Sequence, residues 1–239
     1  MKFIKTIIFL ILVAIIGVTG VYVNRGYTMY KTALNTISIE DKIKEIEEIK
    51  NYTYFNELPK TYVDAVVAVE DRRFYAHNGI DLISIGRAII KDISSRKLVE
   101  GGSTITQQLA KNIYFTQEKK LERKIAESFM AFEIEKACDK NKIFELYVNT
   151  SYFGDGYYCV KDASMGYFNK LPIDMTDYES TLLAGIPNAP SVYAPTKNFE
   201  LASERQKQVL DKMIDYGYMN EEEAIEVTQS DEKNRFIKY

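Results

Sequence analysis

The hydrophobic pattern is sharpest near the N-terminus. After Lys2 and Lys5, the run Thr6 to Val23 (TIIFLILVAIIGVTGVYV) carries no charged residue. At ~1.5 Å per residue in a helix, it is long enough to cross the hydrocarbon core of a bilayer. A cleavable signal peptide has a shorter apolar region closed by a small-x-small site. Here Gly17-Val18-Thr19-Gly20 leads instead into Val21, Tyr22 and Val23. The run therefore predicts one retained transmembrane helix. Lysines precede it, but Arg25 and Lys31 follow it, so charge bias gives only modest support for an external body.

Beyond the span, residues 24–56 are polar and charged, with a helical stretch over Ile37 to Ile49 in which Ile43, Ile46 and Ile49 recur at three-residue spacing. This pattern predicts a stalk or connecting helix. From Leu58 to about Tyr218 the periodicity is mainly helical, broken at Asn78-Gly79, Gly101-Gly102, Phe153-Gly154 and Pro187 to Pro195. Helices are predicted over Thr61 to Glu70, Asp81 to Leu98, Thr104 to Tyr114, Leu121 to Cys138, Lys142 to Asn149, Thr176 to Gly185 and Leu201 to Tyr216. Alternating strand patterns are scarce, so the fold class is mainly α. Asp81 to Leu98 sets isoleucines beside Arg87, Lys91, Arg96 and Lys97. It reads either as a core-facing stripe with a solvated face or as a helix lying in the membrane interface. The expected organisation is a cytoplasmic stub and anchor over 1–25, a stalk over 26–56 and one folded domain over 57–239.

Composition narrows the classes. The 239 residues are 46% hydrophobic and 27% charged, an ordinary globular balance with room for one domain beyond the anchor. A net charge of -3 gives no electrostatic case for nucleic-acid binding. Cys138 and Cys159 are too few for a disulfide framework, and the single histidine supplies no zinc ligand set, so no metal site is expected. A single bridge between the two cysteines stays open.

Four segments carry candidate chemistry. Glu70-Asp71 closes the apolar stretch Ala65 to Val69 and precedes Arg72, Arg73, His77 and Gly79. A carboxylate so placed is either a general base with a raised pKa or a salt-bridged helix end. In Gly101 to Asn112 (GGSTITQQLAKN), Thr104-x-x-Gln107 has the form of a capping box, and Thr104, Gln108 and Lys111 share one helical face. Such a polar stripe suits a sugar pyrophosphate or is simply solvated. Arg123-Lys124-x-x-Glu127 is a surface ion-pair set or, turned into a cleft, a diphosphate clamp. In Lys140 to Asn149, Glu145 is a lone acid among apolar residues and a candidate second carboxylate.

In this order the segments resemble the signature series of the bacterial peptidoglycan glycosyltransferases, the transglycosylase domain of class A penicillin-binding proteins and of monofunctional transglycosylases. The patterns E-D-x-x-F-x-x-H-x-G, G-x-S-T-I-T-Q-Q-L-x-K-N, R-K-x-x-E and K-x-x-I-x-E-x-Y-x-N match residues 70–79, 101–112, 123–127 and 140–149. A fifth block, from Tyr167 to Pro195, looks like the family's closing motif, and the resemblance covers about 58–215.

The resemblance implies a lysozyme-like, two-lobed helical fold with a head and a membrane-associated jaw to which Asp81 to Leu98 would belong. It implies polymerisation of lipid II into β-1,4-linked glycan with inversion and release of undecaprenyl pyrophosphate, at the outer face of the cell membrane, with the N-terminus cytoplasmic. Glu70 is then the general base and Glu145 the second catalytic carboxylate. Lys111, Lys119, Arg123 and Lys124 would hold the pyrophosphate, while Ser103, Thr104, Gln107, Gln108 and Asn112 line sugar subsites beside Asp71 and Glu127. His77 is expected to be structural. Implied partners are lipid II, the growing strand, membrane lipids and other wall-synthesis or division proteins. No organic cofactor is implied, and a divalent cation, Mg or Mn, is left open. Lys119 stands where the family commonly has arginine, Lys142 stands where it often has glutamate, and Tyr157 to Asp162 departs from its usual glycine-isoleucine-rich segment. Other readings are a non-catalytic lipid II-binding scaffold and a muramidase-like hydrolase.

Overall fold

A computed structural model of the chain describes residues 2–95, 102–116 and 120–230. Twelve α-helices run through them: α1 (Lys2–Thr36), α2 (Ile39–Glu47), α3 (Lys60–Glu70), α4 (Leu82–Ser95), α5 (Ile105–Tyr114), α6 (Leu121–Ala137), α7 (Lys140–Thr150), α8 (Val160–Phe168), α9 (Asp177–Gly185), α10 (Pro190–Tyr193), α11 (Phe199–Asp215) and α12 (Glu221–Ser230). No strand occurs among the described residues. The mainly α expectation holds. The last residues of the helix expected over Asp81 to Leu98 lie outside the described residues.

Local chemistry sets the starts of these helices. Ser38, Thr104, Asp139, Thr176 and Asn198 each accept a hydrogen bond from an amide in the first turn of α2, α5, α7, α9 and α11. These bonds satisfy donors that a helix cannot satisfy internally. At α5 and α9 the box is reciprocal, because Gln107 and Glu179 reach back to the amides of Thr104 and Thr176. Cys159 caps α8 through its thiol, an unusual N-cap that leaves little trace in sequence.

α3 runs through the core, with Tyr62, Ala65, Val66 and Val67 all nearly inaccessible. It packs against α9 and α11, while α5 packs against α6 and α7. A smaller cluster joins Tyr178 and Leu182 of α9 to Ala202 and Leu210 of α11 and Ala224 and Val227 of α12.

α1 is long and apolar enough to cross a membrane, with a mean hydropathy of 2.7 in an unburied window. Residues 26–56, which the sequence predicts to be a stalk or connecting helix, pack into the body. Tyr30, Ile39, Ile46 and Tyr52 belong to the same buried cluster as α3. Along α6, Tyr27 meets Phe129 edge-on at 5.4 Å, Tyr30 stacks on it at 5.7 Å, and the Tyr30 hydroxyl donates to Glu133 at 3.2 Å. The approach is close because residue 26 is glycine: a Cβ there would lie 2.6 Å from Ile125 Cγ2. Isolated aromatics in a charged segment read as surface until a partner helix covers them.

Candidate active site

The site begins where α3 stops. Glu70 is the last residue of α3, and Asp71 leaves helical geometry at φ -156. The Asp71 carboxylate accepts the Ile105 amide of α5 at 3.0 Å and meets His77 Nε2 at 2.9 Å. Thr104 Oγ1 donates to the Gly79 carbonyl at 2.6 Å. Gly79 sits at φ +92, where a Cβ would press on the Ala131 backbone at 3.1 Å. The first two motifs thus form one joint that fixes the end of α3 against the start of α5. His77 is buried in that joint, matching its structural reading.

A cleft of about 1050 Å³ opens beside this joint. Glu70 and Asp71 enter it from the end of α3, Ser103, Thr104, Gln108 and Lys111 from α5 and its preceding loop, and Arg123, Lys124 and Glu127 from α6. The Glu70 carboxylate is nearly buried. Its Oε2 accepts from Gln108 Nε2 at 2.8 Å, and Gln108 Oε1 in turn accepts from the Tyr147 hydroxyl at 3.3 Å. Oε1 has no hydrogen-bond partner among the described residues, and Arg205 Nη2 stands 3.9 Å away. Burial raises the Glu70 pKa above the ordinary carboxylate range, against the opposing pull of Gln108, Arg205 and Lys111. Burial also lowers the pKa of Lys111, helped by Arg123 and Lys124 and opposed by Glu127 and Glu70.

Glu127 is almost fully buried and holds both neighbouring cations. Arg123 donates to its Oε1, and Lys124 Nζ donates to Oε2 at 2.9 Å and to Ser103 Oγ at 2.6 Å. The ion-pair set therefore lies in the cleft wall instead of on the surface. A carboxylate with one uncommitted oxygen faces a cluster of positive groups, an arrangement suited to taking a proton from a nucleophile while negative charge grows on a leaving group.

Several expected residues stand elsewhere. Glu145 is buried on α7, outside the cleft lining. Tyr52 donates to its Oε1, the Phe55 amide donates to Oε2 at 2.7 Å, and Lys142 Nζ lies 2.5 Å from Oε1. Its oxygens thus anchor the segment before α3, whereas Glu127 stands in the cleft wall. Lys142 also reaches Glu47 at 2.6 Å, which makes it the counter-charge of this network. Gln107 is buried in its capping box and donates to Ser128 Oγ at 2.9 Å, outside the cleft lining. Asn112 is absent from the cleft lining. Lys119 lies outside the described residues. Unanticipated in sequence are Arg205, Gln208 and Lys212 of α11, which complete the opposite wall. Their i, i+3, i+7 spacing marks one polar helical face, a pattern shared by any solvated helix.

A family model for Transglycosylase matches residues 39–214. Penicillin-binding protein 1F of Bacillus subtilis is 48% identical over 170 residues, which cover 71% of this chain and 24% of that protein. Penicillin-binding protein 1A of Aquifex aeolicus is 44% identical, covering 72% of this chain and 24% of the relative. Penicillin-binding protein 1A of Neisseria lactamica is 41% identical over 204 residues, covering 84% and 25%. The chain thus spans about a quarter of the length of these relatives, and the match falls on the segment that builds the cleft. The chain belongs to the transglycosylase family, whose domain it shares with these penicillin-binding proteins.

Proposed function

We propose that this protein is a peptidoglycan glycosyltransferase of cell wall synthesis that polymerises lipid II and releases undecaprenyl pyrophosphate. The observation that carries the reading is the buried Oε1 of Glu70, which has no hydrogen-bond partner among the described residues and stands 3.9 Å from Arg205, in a cleft that Lys111, Arg123 and Lys124 also line. Glu70 takes the proton from the 4-hydroxyl of the acceptor N-acetylglucosamine as that oxygen attacks the anomeric carbon of the growing strand. The bond to the pyrophosphate oxygen breaks on the opposite face, giving inversion, and the electron pair leaves with the lipid pyrophosphate. Lys111, Arg123 and Lys124 stabilise that charge. Glu127 is a positioning residue that fixes Arg123 and Lys124, and Gln108 aims the Glu70 carboxylate. The scheme uses no organic cofactor.

In this reading α1 crosses the cell membrane with its N-terminus cytoplasmic, and the cleft opens at the outer leaflet. The packing of α1 supports it: Arg25, just past the apolar run, lies 3.5 Å from Glu122, one residue before Arg123. The pyrophosphate clamp therefore sits near the level at which α1 would leave the bilayer, where a lipid-linked substrate presents its head group.

The test is incubation of the detergent-solubilised full chain with labelled lipid II, with glycan length followed by gel electrophoresis. Wild type is expected to build polymer, and Glu70→Gln to lose at least about a hundredfold of that rate, the usual scale of a general base. Shortening of finished glycan would mark a hydrolase instead. Neither activity, under conditions where a known synthase works, would mark a non-catalytic scaffold.

A further inference from the structure

The cleft extends past Glu70 to an end that no sequence motif assigned. There the Arg72 guanidinium lies over the Tyr216 ring at 5.0 Å from its centroid. Among the described residues it makes no ion pair, and its buried Nε has no hydrogen-bond partner. Stacking on an aromatic face holds a guanidinium in place without consuming its donors, which leaves the planar fork free for an oxyanion. Lys212 lies over the same ring at 5.5 Å, but it is already paired with Asp215 at 2.8 Å.

Carboxylates share the cleft with this guanidinium. Asp211 and Glu221 are among the residues that line the same cleft as Arg72. The contrast with the other end is informative, because there Glu127 is covered by Arg123 and Lys124 and Lys111 stands beside them. That end suits a doubly charged anion. An arginine fork close to exposed carboxylates suits a ligand carrying both a carboxylate and an ammonium group, and a bare pyrophosphate would meet repulsion from Asp211 and Glu221.

We propose that Arg72, stacked on Tyr216, is a specificity residue for the zwitterionic peptide carried by the substrate disaccharide, taking a peptide carboxylate while Asp211 and Glu221 face the peptide's ammonium group. This rests on the glycosyltransferase reading. Tyr216 is a positioning residue that holds the fork in plane.

The experiment compares two lipid-linked disaccharide precursors, one with its peptide and one without, using wild type and Arg72→Gln. Wild type is expected to favour the peptide-bearing precursor in kcat/KM through a lower KM, and Arg72→Gln to shrink that preference by about tenfold, the scale of one charge-assisted hydrogen bond. Arg72→Lys is expected to restore only part of it, because a point charge cannot reproduce the bidentate fork. A preference that is unchanged in Arg72→Gln overturns the proposal. So does an equal rise in KM for both precursors, which would place the pyrophosphate at Arg72. If wild type polymerises neither precursor, the glycosyltransferase reading fails, and titration with a soluble muramyl peptide decides this one separately. Saturable binding weakened tenfold in Arg72→Gln supports it, and no binding by wild type overturns it.

Discussion

At the scale of single residues, the environment proposed to make Glu70 a base also acts against stability. Its pKa is raised chiefly by burial, so the folded state favours the protonated form. A group raised in this way contributes stability that is fully present below its unfolded pKa and is lost as pH rises through the folded value. At neutral pH the ionised carboxylate is therefore a destabilising element. Glu70→Gln keeps an acceptor for Gln108 Nε2 and removes the charge, so it is expected to raise the thermal midpoint at pH 7 while abolishing polymerisation. Thermal denaturation of the two proteins checks this, and a lower midpoint for the variant would contradict it. The same shift sets the pH profile. A base must be ionised to act, so kcat/KM is expected to fall on acidification with an apparent pKa above that of an ordinary glutamate, and Glu70→Gln should flatten that limb.

At the scale of elements, the joint between α3 and α5 is the part on which the site most depends. One carboxylate, Asp71, serves both the first-turn amide of Ile105 and the ring of His77. Asp71→Ala leaves both buried groups unsatisfied and is expected to destabilise the fold by about 2–4 kcal/mol, with loss of activity because Gln108 and Lys111 move with α5. Chemical denaturation measures the first effect, and a change under about 0.5 kcal/mol, the range of a neutral surface substitution, would refute the joint. The capping box of α5 and the apolar run of α3 were legible in sequence, because they are local patterns. Three helices were not: the four-residue α10 among prolines, and the longer α8 and α12. α8 carries Gly166 and a cysteine cap, while α12 buries only Ala224 and Val227 and presents Glu221, Glu222 and Glu223 first. Neither has enough periodic apolar character to signal a helix before α9 and α11 supply a surface.

At the scale of the whole molecule, the apolar helix α1 is continuous with the helical body. Tyr27 and Tyr30 of α1 cover Phe129 of α6, and Tyr52 and Thr53 join α7 through Glu145 and Asn149. Two truncations separate tethering from folding. A chain starting at Asn24 keeps these contacts and is expected to melt within about 2 °C of the full chain in detergent. One starting at Ser38 exposes Phe129 and leaves Glu133 without the Tyr30 hydroxyl, a loss of about 2–4 kcal/mol. That corresponds to a fall of roughly 5–15 °C for a domain of this size. Equal melting of both truncations would restore the segment to a simple stalk.

The sequence by itself determined the helical class, the apolar span and the grouping of Glu70, Gln108, Lys111, Arg123 and Lys124 into one candidate site, since each follows from residues close along the chain or from an ordered series of motifs. Tertiary structure alone decided which of two helical acids lines the cleft that holds Glu70. Glu127 and Glu145 look equivalent in one dimension, each an acid on a helix beside lysines. Helix α6 turns Glu127 into the cleft, whereas α7 turns Glu145 toward Tyr52 and Phe55. The α11 wall and the stacking of Arg72 on Tyr216 were hidden for the same physical reason. A polar face on a helix reads as solvated until another element is brought against it, and which element that is depends on the packing of the whole core.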